Sequence, residues 1–129
     1  MPAGLPEQFV HLHLHIGYST LDGASRIGDI VKKAAKRGMP AVAMTDHGNL
    51  YGAIVFYLAC QKAKVKPIIG CELYVCGEGV AKEHRAEVPG KKNNYHLTVL
   101  GKNEVGFRNL TKTLLSFSEM AHKFDYNSQ

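Results

Sequence analysis

Three histidines alternate with leucines in Val10-His11-Leu12-His13-Leu14-His15, and Ser19-x-x-Asp22-Gly23 follows shortly after. Strand side chains alternate faces with period two, so His11, His13 and His15 fall on one side of a regular strand and Leu12, Leu14 and Ile16 on the other, toward a core. Imidazole is the commonest protein ligand for zinc, iron and manganese, and two rings on one strand face can grip a single ion. An exposed edge strand with a polar histidine face explains the triplet equally well. Further polar residues interrupt apolar runs downstream. Asp46-His47 follows Ala41–Thr45, Glu72 ends Ile68-Ile69-Gly70-Cys71, and His96 opens Leu97-Thr98-Val99-Leu100. Taken singly, each has an ordinary reading: Asp46 or His47 capping a turn, Glu72 paired with a lysine, His96 hydrogen-bonded in a core, Asp22-Gly23 marking a turn. Their recurrence on successive units is harder to explain that way. A carboxylate among histidines suits ions that act together on a phosphoester.

The elements that must position these residues follow a β-α rhythm. Phe9–Ile16 reads as a first strand. Ile27, Ile30, Val31, Ala34 and Ala35 recur at helical spacing, with Ser25 as N-cap and Gly38 and Pro40 as stops. Ala41–Thr45 is a short continuous apolar run, as in a strand buried on both faces. Leu50–Ala63 reads as a well-buried helix, Pro67–Val75 as the third strand, Tyr95–Leu100 as the fourth and Asn103–Ser118 as a further helix. Between the last two strands, Cys76–Asn94 is polar, carries Gly77, Gly79, Pro89 and Gly90, and reads as a loop. Strands separated by helices predict βαβ crossovers and four parallel strands with outer helices. In such folds chemistry gathers at the carboxyl ends of strands. His13, His15, Asp22, His47 and Glu72 can converge there; His96, at the start of its strand, fits less simply.

The bulk properties bound the reading. The 129 residues make one domain or a piece of one. No run approaches the ~18 apolar residues of a membrane span, and Met1–Gln8 is too short and mixed for a secretory leader; the expectation is a cytoplasmic protein with no membrane contact. Sixteen Lys and Arg against eleven Asp and Glu give a net charge of +5, which suits an anionic partner such as nucleic acid. The excess (Lys32, Lys33, Lys36, Arg37, Lys62, Lys64, Lys66) is equally explained by solvated helix surface. Cys60, Cys71 and Cys76 are odd in number and form no CxxC, so buried thiols are expected rather than a disulfide framework.

The stretches FVHLHLH, YSTLDGASRI, GMPAVAMTDHGNLYGAIVFY, VKPIIGCELYV, YHLTVL and KNEVGFRNL closely resemble the PHP (polymerase and histidinol phosphatase) domain found at the amino terminus of bacterial DNA polymerase III alpha subunits. The resemblance runs over residues 9 to 112, and TDHGNLYGA and KPIIGCE are its most specific parts. It implies the first half of a distorted (β/α)7 barrel, incomplete, with a metal site at one end. In the family pattern His13 and His15 bind one ion, Glu72 bridges it to a second bound by His96, and Asp22 and His47 belong to a third; His11 is a neighbour. Zinc, manganese or iron are the implied ions, up to three in the complete domain. Family members with an intact site are metal-dependent phosphoesterases acting as 3′–5′ exonucleases, and in others the domain docks a proofreading exonuclease subunit. The implied role is DNA replication, with DNA and the remainder of the polymerase alpha subunit as partners. Two alternatives stand beside it: a free-standing PHP phosphoesterase, and a non-catalytic docking module.

Departures from the pattern set further expectations. The family's later ligands, a Cys or His, an Asp and a second His, have no counterpart here. Ile16-Gly17 replaces small polar and acidic residues, and Gly101 an alanine. Lys64 stands where the family has a glycine after the helix, a place suited to left-handed backbone. Residues 1–8 read as a leader, 9–118 as the amino-terminal portion of a PHP domain, and 119–129 as a diverged tail. With no polymerase palm, fingers or thumb, the chain cannot polymerise DNA by itself, and alone it is expected to have little exonuclease activity.

Overall fold

The computed structural model describes residues 9–17, 26–76 and 94–126. Among the described residues the elements run α1 (Ile27–Lys36), β1 (Ala41–Met44), α2 (Ala53–Ala63), β2 (Lys66–Cys76), β3 (Asn94–Leu100) and α3 (Glu104–Tyr126). The sheet has the order β1-β2-β3. β1 and β2 run parallel from Ala41↔Lys66 to Met44↔Ile69, and the register continues to a bridge at His47↔Glu72. Joined by α2, they form the expected crossover. All four residues of β1 are buried, as a continuous apolar run requires when both faces are covered.

β3 corrects the expectation of four parallel strands: it pairs antiparallel to β2, from Gly70↔Leu100 to Cys76↔Asn94. A parallel return needs a long crossover, normally a helix, and the polar, glycine-containing 77–93 sequence carries no helical pattern. Reversal also moves the start of β3 to the carboxyl end of β2, where His96 faces Tyr74 across the ladder.

Phe9–Ile16 forms no regular strand. His11 bridges Val42 in parallel, and its carbonyl accepts from Ala43 N at 2.8 Å, while the Leu14 carbonyl accepts from Thr45 N at 2.9 Å. Three residues on one side thus advance against two on the other, an irregularity of bulge type. Side chains replace the missing backbone acceptors: Leu14 N donates to Thr45 Oγ1 at 2.8 Å and Ile16 N to Asp46 Oδ1 at 2.6 Å. Leu14 and Ile16 join the core as expected, whereas Leu12 is exposed.

The core lies between one sheet face and the helices, around Ile16, Val31, Met39, Val42, Met44 and Phe56. α1 ends in a Schellman motif: Gly38 has φ +68, Gly38 N donates to the Ala35 carbonyl and Met39 N to that of Ala34, each at 3.0 Å. The cap expected at Ser25 lies outside the described residues. α2 ends the same way, with Lys64 at φ 56 and ψ 34 and Val65 N donating to the Cys60 carbonyl at 3.0 Å. Only one stripe of α2 is buried, at Ala53, Phe56 and Cys60. Ile54, Val55, Tyr57 and Leu58 are exposed, which corrects the expectation of a well-buried helix. α3 runs through Tyr126, past the expected end at Ser118, because no proline or glycine follows to stop it. Cys60 and Cys71 are buried free thiols, burial raising the Cys60 thiol to about 11. Among the described residues no helix is long and apolar enough to cross a membrane.

Candidate metal centre

Glu72 is the hub. It lies on the middle strand, on the sheet face away from the helices, and is 2% exposed. A carboxylate so placed is costly to bury without partners, and imidazoles surround it. His13 Nε2 and His15 Nε2 lie 2.5 and 2.6 Å from Glu72 Oε2. His96 Nδ1 lies 2.6 Å from Oε1, and His47 Nε2 stands 3.9 Å from Oε2. Burial alone would raise the carboxyl; hydrogen bonds from His13 and His15 and the charges of His47 and His13 outweigh it, holding Glu72 down to about 2.

The histidines arrive from three separate backbone segments. The bulge at residues 11–14 turns His13 and His15 together onto Glu72 and takes His11 off that face, where it shares a depression with Leu14 and Val42 and meets Phe9 edge-on. His47 comes in beyond the end of β1, held to register by Glu72 N donating to the Asp46 carbonyl and Gly48 N to that of Glu72, both at 3.0 Å. His96 comes from β3. Gly70 lets that strand close in: a Cβ there would lie 2.5 Å from the Val99 carbonyl oxygen and 2.7 Å from Leu100 Cδ2.

Five of the six residues singled out in the sequence are therefore brought together, in two groups that share one carboxylate: His13, His15 and Glu72, and His47, Glu72 and His96. The donor atoms of each group lie within 4.8 Å of one another. The sixth, Asp22, lies outside the described residues. Two residues given no such role also shape the site. Asp46, read as a turn cap, is buried and anchors Ile16; Tyr74 packs on His47 and His96. The available signal for Tyr74 was its spacing, two residues beyond Glu72 on the same strand face.

The donor set suits a divalent cation. Two ligands on one tetrahedral zinc, each about 2.0–2.1 Å from it, stand about 3.3 Å apart, within the 4.8 Å that spans the donor atoms of each group. A single carboxylate needs no more than a few hydrogen-bond donors, yet four imidazoles converge on Glu72. With a cation bound, the nitrogens that face Glu72 would turn their lone pairs to it.

The model of the PHP domain family matches residues 11–129. DNA polymerase III subunit alpha of Borreliella burgdorferi is 48% identical over 113 residues, covering 87% of this chain and 10% of the relative. The subunit of Treponema pallidum is 50% identical over 102 residues, covering 79% of this chain and 8% of the relative. The chain thus spans about 10% of the length of the curated relatives it matches, or less. Among solved structures, one from Bifidobacterium adolescentis described as a metal-dependent phosphoesterase aligns with TM-score 0.57 at 22% identity, covering 84% of this chain and 34% of that one. An amidohydrolase from Chromobacterium violaceum aligns with TM-score 0.53 at 23% identity, covering 80% and 32%. At these identities the two structures establish the fold alone.

Proposed function

The chain belongs to the PHP domain family, and from that membership we propose that it is the amino-terminal part of the PHP domain of a bacterial DNA polymerase III alpha subunit. In this reading it carries part of a metal-dependent phosphoesterase site of the 3′–5′ exonuclease type and serves DNA replication in the cytoplasm. Its partners are DNA, the remainder of the alpha subunit and a proofreading exonuclease subunit. The observation that carries the proposal is the buried Glu72 carboxylate shared by two histidine groups. A shared carboxylate with imidazoles on either side is the arrangement that multinuclear phosphoester chemistry needs.

His13, His15 and Glu72 would hold one ion; Glu72, His47 and His96 would hold another; Asp22 would add a ligand. Zinc, manganese and iron all suit this set. A bound divalent ion would supply Lewis acidity toward a phosphoryl oxygen and an activated water. The chain's own residues keep Glu72 ionised and fix the imidazoles on separate backbone segments. Half-exposed His13 and His96 leave the mouth of the site open to a ligand. Assayed alone, the chain is expected to cleave DNA little or not at all, because catalysis tolerates little misplacement of its parts. A docking role without catalysis is the second reading, favoured by the exposed apolar side of α2.

The test is metal-dependent 3′–5′ cleavage of DNA by a longer protein that contains this chain and the family's later ligands. Metal uptake and cleavage should both appear there, and His13→Ala should abolish cleavage. Full metal uptake with no phosphodiester cleavage would leave docking as the function.

A further inference from the structure

Tyr74 follows Glu72 by two residues on β2 and stands opposite His96 in the ladder. It therefore shares the site face, about 6.8 Å along the strand from the hub. Its ring stacks on that of His47, with centroids 5.7 Å apart and planes at 20°, and meets His96 edge-on at 5.0 Å. Its hydroxyl lies 3.3 Å from His47 Nδ1. These contacts fix the ring in place, yet Tyr74 is 50% exposed. Packing on the histidines accounts for the covered half. It gives no reason for a large aromatic surface to stay in water beside them.

The exposed half borders the same opening as His13 and His96, which are also half exposed. Those two belong to the groups that would hold ions, whereas Tyr74 stands outside both groups. What a fixed, half-wet tyrosine offers is an apolar ring with a polar tip. A nucleotide matches both parts of such a site. Its phosphate belongs with the metal centre. Its base, one sugar away, is a flat ring that stacks on aromatic side chains whatever its identity. A ring already held in place loses little conformational freedom when a base settles on it. A small phosphate ester without a ring would leave this surface uncovered.

We propose that Tyr74 is the base-stacking residue of the site: the nucleobase attached to the phosphate held at the Glu72 centre packs against its exposed ring. This rests on the phosphoesterase reading above and narrows it, from phosphoesters in general to nucleotides of any sequence. The ring makes the contact and the hydroxyl does not, so Tyr74→Phe keeps the function and Tyr74→Leu loses it.

The test uses two short single-stranded DNA oligonucleotides that differ only at the 3′ end, one closing on an ordinary nucleotide and the other on an abasic one. Their affinities for the zinc-treated chain are read by fluorescence anisotropy. The unaltered chain should prefer the base-bearing strand by about 5- to 150-fold, the range that one stacked base supplies. Tyr74→Phe should keep that preference. Tyr74→Leu should erase it, while the abasic strand binds that variant as it binds the unaltered chain. An unaltered chain that binds the two strands alike, or binds neither, overturns the proposal, as does a preference that survives Tyr74→Leu. Loss of the abasic strand as well in Tyr74→Leu makes the residue a structural support and also overturns it. Failure of the phosphoesterase reading looks different: the preference and its loss in Tyr74→Leu stand, while the longer protein takes up metal and leaves DNA uncut.

Discussion

At the residue scale, the centre depends on one carboxylate serving two groups of imidazoles. Glu72→Gln keeps the size and removes the charge, so it should abolish uptake at both groups, whereas His13→Ala should cost only the first; counting metal bound per chain by elemental analysis distinguishes them. The same carboxylate links folding to acidity. Its folded-state value of about 2 lies below the ordinary 4.5, so between the two the unfolded chain binds more protons and stability rises with pH. The contribution is fully present above pH 4.5 and lost as pH falls toward 2. Denaturant unfolding of the metal-free chain across that window should weaken steeply, and Glu72→Gln should flatten the dependence. His13, His15, His47, Glu72 and His96 were legible because histidines and a carboxylate interrupt apolar runs, where they need a reason to be. Tyr74 was not, because a tyrosine in a strand is ordinary packing. Asp46 looked like a turn cap because sequence does not reveal that its side chain reaches back thirty residues to Ile16.

At the element scale, the helices and the three later strands followed from periodicity, but pairing did not. The direction of β3 was in fact hinted at by the polar, glycine- and proline-containing sequence before it, a clue outweighed by the β-α rhythm upstream. The bulge at residues 11–14 left no such trace, since Thr45 and Asp46 create it by substituting side-chain acceptors for backbone ones. The two Schellman endings form a natural comparison. Gly38 takes the left-handed position of one at no steric cost, whereas Lys64 takes that of the other with a Cβ in the way. Lys64→Gly should raise stability by about 1 kcal/mol and Gly38→Ala lower it by a similar amount, as read by denaturant midpoints. Gly70→Val is a harsher change. It drives a side chain into the Val99 carbonyl, so β3 must part from β2, and amide-exchange protection across that ladder should fall together with the contribution of His96 to metal uptake.

At the scale of the whole molecule, the exposed side of α2 is the conspicuous feature. A helix apolar nearly all round belongs in an interior, yet Ile54, Val55, Tyr57 and Leu58 face outward, beside a groove of about 420 Å³ that reaches Phe107 at the start of α3. Such a surface promotes association. The chain should therefore self-associate with rising concentration in light scattering, and Ile54→Lys with Leu58→Lys should return it to a monomer while leaving metal uptake unchanged. Retained self-association in that double variant would place the sticky surface elsewhere. The reversal of β3 has another outcome at this scale. Because Cys76 and Asn94 are partners in the ladder, the segment 77–93 departs and returns at neighbouring points, one register step from Tyr74 and His96 on the site face. Lengthening a segment anchored in this way costs only about 0.6 kcal/mol per doubling, and no ligand need change its register. Insertions between 76 and 94 are thus absorbed by the connection alone, and the ladder that carries Glu72 and His96 keeps its register.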